Sequence, residues 1–289
     1  MRRALFFPLF SVTFCVALVL ATPASHAATT AYILTEGKIL QLDIDAELKR
    51  ARAAAASTSD TAAEGKKKKK KVKPKDTATL LSEGWKGALD IETDGTFVYV
   101  LLKDSVVRVP VKQPTQRETV AAGLEQAQQI VVDRGYLYIR TVGSVTRTPV
   151  DGKGKSETLT NGFGGMRDMA VSKNMLVVRM GDGRFFKLSG KKWKDKLVSQ
   201  GWRGILRMRN IGSRMFLFSG GQVFTFKPGR RGSIFMDELS AAYEGFWAHK
   251  KYLLFSSRMG QVFVAKAKKG AKHIEIRPKV SLIDDIAIH

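Results

Sequence analysis

The chain has 289 residues, 44% of them hydrophobic, which suffices for a sizeable core, and its one cysteine excludes an intrachain disulfide. Its 49 Lys/Arg against 26 Asp/Glu give a formal net charge of +23, which favours anionic partners over cationic ones. No G-x-S-x-G elbow is present and the cysteine falls in the leader. His249, His273 and His289 have no ligand-spaced partner, so serine or cysteine nucleophiles and zinc sites find no support.

Arg2 and Arg3 precede an apolar run from Ala4 to Leu20, and Ser25 and Ala27 place small residues at the −3 and −1 positions of a cut after Ala27. This is the pattern of a secretory signal peptide over residues 1–27 and predicts export to the periplasm or beyond, with 28–289 as the mature propeller-forming part. An uncleaved anchor is the alternative, because a run of 17 apolar positions is near the lower limit for crossing a bilayer. Cys15 lies inside this segment.

Tyr32–Leu34 and Ile39–Leu42 flank Glu36-Gly37-Lys38 and read as a hairpin with glycine at the turn. Residues 46–76 then hold almost nothing apolar beyond alanine, with eleven Lys/Arg against four Asp/Glu. Like charges at that density extend the chain, so this stretch reads as a disordered basic insertion, with a transient helix near Glu47–Ala56. Lys66, Lys67, Lys68, Lys69, Lys70, Lys71, Lys73 and Lys75 form a polybasic run suited to an anionic membrane surface, each worth about 1 kcal/mol there. A purely solubilising loop is the other reading, and no motif supports specific nucleic-acid recognition.

From Leu80 onward a period of 39 residues appears. Gly221-Gln-Val-Phe224 returns as Gly260-Gln-Val-Phe263, and Gly84-Trp-Lys-Gly87 returns three periods later as Gly201-Trp-Arg-Gly204. Each unit carries a run ending near Ile91, Ile130, Met169, Met208, Phe246 or Ile286, then a polar turn, then two further β-branched and aromatic runs, all strand-like. The last unit stops after one strand, while the N-terminal hairpin lacks that strand. Joining the ends completes one unit and makes six, which predicts an all-β, six-bladed propeller, a monomeric ring without exposed sheet edges.

Asp133-Arg-Gly-Tyr-Leu-Tyr138 followed by Val145-Thr-Arg-Thr-Pro-Val-Asp-Gly152 resembles the strand–turn–strand unit of six-bladed propellers of the YWTD and NHL type, as does Asp90–Gly95 followed by Phe97–Val100. The YWTD tetrapeptide itself is absent, so the resemblance implies the fold and not a function.

Three sets of residues are candidates for function. The first-strand position holds Asp90, Gln129, Asp168, Arg207, Gly245 and Asp285. In propellers resembling the gluconolactonase and paraoxonase group, such carboxylates hold calcium at the channel, which makes Asp90, Asp168 and Asp285 metal candidates for a calcium-dependent hydrolase or lactonase. Hydrogen bonding to neighbouring turns is the commoner use of such residues, and the hydrolase-type asparagine is missing. The second set lies on the loops that lead into the first strands: Trp85, Lys86, Phe163, Trp202 and Arg203, with Arg167, Arg207 and Arg209 nearby. Aromatic faces beside cations suit an anionic peptide or a glycan, while packing between blades is the structural alternative. The third set is the lysine run, placed by propeller convention at the opposite mouth. Gly154-Lys-Ser156 lacks the leading glycine of a phosphate loop, and Gly181-Asp-Gly183 reads as a hairpin turn. The expectation is a non-catalytic, exported binding module for an unidentified protein or anionic polymer, without a cofactor.

Overall fold

The computed structural model describes residues 28–59, 78–172, 175–190, 192–240, 243–257, 259–276 and 282–289. The proposed leader and the lysines from Lys66 to Lys75 lie outside them. Blade 1 takes β1 (Thr30–Thr35) and β2 (Lys38–Asp43), followed by helix α1 (Ile44–Ser59) and then β3 (Thr79–Glu83). Blade 2 is β4 (Asp90–Thr93), β5 (Phe97–Leu101), β6 (Ser105–Pro110) and β7 (Glu118–Ala122). Blade 3 is β8 (Gln129–Asp133), β9 (Tyr136–Arg140), β10 (Val145–Pro149) and β11 (Glu157–Thr160). Blade 4 is β12 (Met166–Ser172), β13 (Met175–Met180), β14 (Phe185–Ser189) and β15 (Lys194–Ser199). Blade 5 is β16 (Arg207–Ile211), β17 (Arg214–Phe218), β18 (Val223–Phe226) and β19 (Ser233–Met236). Blade 6 is β20 (Tyr243–His249), β21 (Tyr252–Ser257), β22 (Val262–Lys266) and β23 (His273–Ile276), and the chain ends in β24 (Asp285–Ile288).

All strand pairs are antiparallel neighbours in sequence except one. β24 pairs with β1, with Ile286 opposite Ile33 and Ala31 opposite Ile288, and becomes the inner strand of blade 1. Thr30 and His289 exchange backbone hydrogen bonds of 3.0 and 2.9 Å, so the two ends of the described chain close the ring. Strands β4, β8, β12, β16, β20 and β24 contact one another in turn around the axis.

Apolar residues from both faces of each sheet meet the neighbouring blade, giving six buried clusters, one per junction. The outermost strands bury least: β15, Lys-Asp-Lys-Leu-Val-Ser, is exposed over its first four residues. In blades 1 to 5 the pairing of third and fourth strands shifts register by a bulge, which twists an exposed edge away from further pairing.

The insertion differs from its sequence reading over 46–59, which is drawn into α1. Ile44 and Leu48 are buried against blade 6, Asp43 caps the helix through the Ala46 N–H at 2.9 Å, and Asp45 accepts from the Tyr252 hydroxyl at 2.6 Å. A two-residue apolar anchor and a cap suffice to start the helix, after which alanine and arginine carry it outward.

Candidate functional site

Because side chains alternate along a strand, positions two apart share a face. On the inner strands one such face holds three rows. The first is Asp90, Gln129, Asp168, Arg207, Gly245 and Asp285. The second is Glu92, Val131, Ala170, Arg209, Trp247 and Ala287. The third is Asp94, Asp133, Ser172, Ile211, His249 and His289.

The first row latches the ring. Asp285 accepts from the Ile91 N–H at 2.9 Å, Asp90 from Ile130 at 2.7 Å, Gln129 from Met169 at 3.0 Å and Asp168 from Met208 at 2.6 Å. Each bond crosses one blade junction and satisfies an edge N–H that the inner strand would otherwise leave unpaired. Blade 6 closes differently: Trp247 Nε1 donates to Asp285 Oδ1 at 2.9 Å. Its ring fills the place where a Cβ on residue 245 would stand, 2.1 Å away, which is why that row position is glycine.

These bonds test the calcium reading. Asp90, Asp168 and Asp285 do share a row, but their oxygens already accept N–H donors, and Arg209 approaches Asp168 Oδ1 at 3.7 Å. Among the described residues no group of three or more His, Cys, Asp or Glu is placed to hold a metal ion. Calcium takes six to eight oxygen ligands, waters included, and five of the six carboxylate oxygens of this set already accept donors, which leaves it poorly suited to that ion.

The buried charges adjust to one another. Burial, then the charge of Asp285 and its hydrogen bond, hold the Asp90 carboxyl well above the usual range. Burial likewise pushes Glu92, three blades from Arg209, up to about 8 despite that guanidinium. Burial lowers Arg209, but Asp168, Glu92, Asp285 and Asp90 outweigh it and leave the group raised.

At the mouth where the inner strands start, a recess of about 100 Å³ is lined by Gln128, Arg140, Arg167, Arg207, Asp284 and Asp285 among others. Arg140 and Arg179 are only 6% and 7% exposed, whereas Arg167 and Arg207 are open to solvent. At the other mouth the second and third rows line a larger cavity of about 500 Å³. His249 there is driven down to about 4 by burial, then by Lys250 and His289.

The lead-in aromatics have a structural use. Trp85 is 2% exposed, donates Nε1–H to Ser82 Oγ at 3.1 Å and lies under the Arg117 guanidinium at 4.2 Å. Trp202 repeats this, donating to Ser199 Oγ at 2.7 Å while it packs against Phe185, Phe224 and Phe226. Phe163 rests on Phe186 with ring centroids 5.0 Å apart. The backbone beneath is pinned to the preceding blade, Trp85 N–H to Gly37 O at 2.8 Å and Trp202 N–H to Gly183 O at 3.2 Å. A Cβ at either glycine would strike the next loop's backbone, and both have φ near +80°, at +73° and +86°. The recurrence of Gly-Trp-Lys/Arg-Gly is thus a blade junction. Of the candidate set, Arg167 and Arg207 come together at the recess, Lys86 and Arg203 stay exposed on the loops, and Trp85, Phe163 and Trp202 pack between blades.

Sequence reading passed over Arg140, Arg179 and Glu92, and took Arg209 only as a charge near the lead-in loops. A signal existed for two of them: at 39-residue steps along the second strands stand Leu101, Arg140, Arg179, Phe218 and Ser257, so two arginines interrupt an apolar position.

No family model and no curated protein matches the chain. Similar solved structures include a chain of a nidogen–laminin complex, 12% identical with a TM-score of 0.63 over 90% of this chain and 98% of that one. Another is virginiamycin B lyase from Staphylococcus aureus, 12% identical with a TM-score of 0.48 over 66% and 70%. PorZ, a surface component of the type-IX secretion system of Porphyromonas gingivalis, is 13% identical with a TM-score of 0.49 over 66% and 26%. The first establishes likeness of fold to six-bladed propellers of the YWTD type and nothing finer.

Proposed function

We propose that the protein is a non-catalytic, exported propeller that binds an anionic partner, a protein or an acidic polymer, at the mouth where the inner strands start. The observation that carries this is the pair Arg167 and Arg207. Both are exposed at that mouth, and among the described residues neither forms an ion pair. Exposed Lys86 and Arg203 extend the same sign of charge along the lead-in loops. Exposed cations without ion-pair partners speed capture of the opposite sign. The nidogen–laminin structure is itself a protein complex, which agrees with a binding role for the architecture.

The test is retention of the purified protein on immobilised acidic and neutral peptides at low salt, followed by elution with rising salt. Retention on the acidic peptide alone, lost as salt screens it, is the expected result. Equal retention on both, or none, rejects the reading. N-terminal sequencing of protein from the exported fraction, with Ala28 expected first, tests the export part.

A further inference from the structure

The recess beside Arg167 and Arg207 is built asymmetrically. Guanidiniums come from blades 3, 4 and 5, namely Arg140, Arg167, Arg207 and Arg209, while the carboxylates are Asp168 among them, Asp90 on blade 2, and Asp284 and Asp285 on the side of blade 1. Arg179 belongs to the basic side, since its charge interacts with those of Arg207 and Arg167.

Arg140 is fully used: it donates to Gln129 Oε1 at 3.0 Å, Gln128 Oε1 at 2.6 Å and Met166 O at 3.1 Å. Arg179 is not. Its Nε is buried without a partner, and its one hydrogen bond is a long 3.4 Å contact from Nη2 to Leu206 O. Among the described residues no carboxylate lies within ion-pair distance of it. A guanidinium 7% exposed, offset only by Asp168 from beyond ion-pair distance, is costly to hold in a native fold.

We infer that the recess seats one carboxylate, an Asp or Glu side chain of an acidic peptide segment, gripped by Arg167 and Arg207 and compensating Arg179 behind them. This rests on the binding-module reading above and names its ligand group. A planar carboxylate matches the guanidinium fork and gains two parallel hydrogen bonds. A recess of about 100 Å³ accommodates a carboxylate tip. Asp284 and Asp285 across the recess penalise a doubly charged phosphate more than a single negative charge. Burial holds Arg140 and Arg179 below the usual arginine range, opposed by Asp168 and reinforced by the neighbouring arginines, and an arriving anion would offset part of that cost.

The experiment is fluorescence anisotropy of a labelled hexaglutamate peptide with the full chain, the double variant R167Q/R207Q, R179M, and a variant with Lys66–Lys71 changed to Gln. Wild type should bind, the double variant should bind at least tenfold more weakly, and the lysine variant should bind as wild type does. R179M should lose affinity without a lower melting temperature, because its folded-state bonds amount to one long contact. Unlabelled acetate should displace the peptide at least as well as phosphate at matched ionic strength. Wild-type binding that both arginine variants retain overturns this inference and leaves the anionic-partner reading standing. Loss in R179M with a melting temperature several degrees lower, or preferential displacement by phosphate, also overturns it. No wild-type binding to hexaglutamate or to the acidic resin overturns both.

Discussion

Glu92→Gln isolates an acidic group that the ring holds protonated at neutral pH. Free in the unfolded chain the carboxyl titrates near 4.5, whereas in the fold burial lifts it to about 8. Between those values the native state keeps a proton that the unfolded state has released. Stability therefore falls as pH rises through that window, by about 1.4 kcal/mol per pH unit from this group. Over roughly three units that is ~4 kcal/mol, and the partial exposure of Glu92 reduces it to about 2–4 kcal/mol. Glutamine keeps the shape and the neutral hydrogen-bonding form, so it removes the slope without emptying the site. Urea unfolding followed by tryptophan fluorescence gives the difference between variant and wild type. The two should be nearly equal at about pH 5, and the variant should lead by about 2–4 kcal/mol at about pH 8. Parallel curves, or a wild type that gains on the variant with pH, refute the claim that Arg209 fails to hold Glu92 ionised.

Asp168→Ala strips the acceptor from the Met208 N–H at 2.6 Å and Gln129 Nε2 at 2.7 Å, and leaves Arg209 without its nearest carboxylate. Chemical denaturation should show a loss of about 3–5 kcal/mol, and a loss under ~1 kcal/mol would contradict the latch. His249 titrates at about 4 in the fold and near 6.5 when free, so the stability it confers is lost as pH falls through that interval. His249→Gln should flatten the decline in melting temperature over the same range. Asp45 is held at about 2, with the Tyr252 hydroxyl, the Thr29 N–H and Lys251 outweighing burial, so its support for α1 is lost only below the ordinary 3.8. Asp45→Asn should speed amide exchange over Ile44–Leu48 at neutral pH while costing under ~1 kcal/mol overall, because Asp45 is 31% and Lys251 59% exposed. Changing Lys66–Lys71 to Gln should abolish sedimentation with anionic vesicles and leave the melting temperature unchanged; retained sedimentation rejects the tether.

How much of this was written in the sequence follows from where each residue type falls in the blade. The second strands bury both faces between blades, so runs such as Phe97–Leu101 and Tyr252–Phe255 stay apolar and their 39-residue recurrence shows through. Ring closure was legible for the same reason, since a lone first strand at one end and a hairpin lacking it at the other have one economical solution. The outer strands were not legible: β15 faces water, and polar residues there erase the alternation that identifies a strand. The sequence left Trp85 and Trp202 open between blade packing and a binding surface, because it shows an aromatic beside a cation without showing that Ser82 and Ser199, three residues earlier, take their indole N–H groups inward. The arginines at 140 and 179 were visible as interruptions, yet their meaning depended on position around the ring. Period and polarity are local properties carried by the chain itself, so the sequence determined the six blades. Which charges find partners depends on residues about 40 apart meeting across a junction, as Asp168 meets Met208, and only the closed tertiary structure decides that.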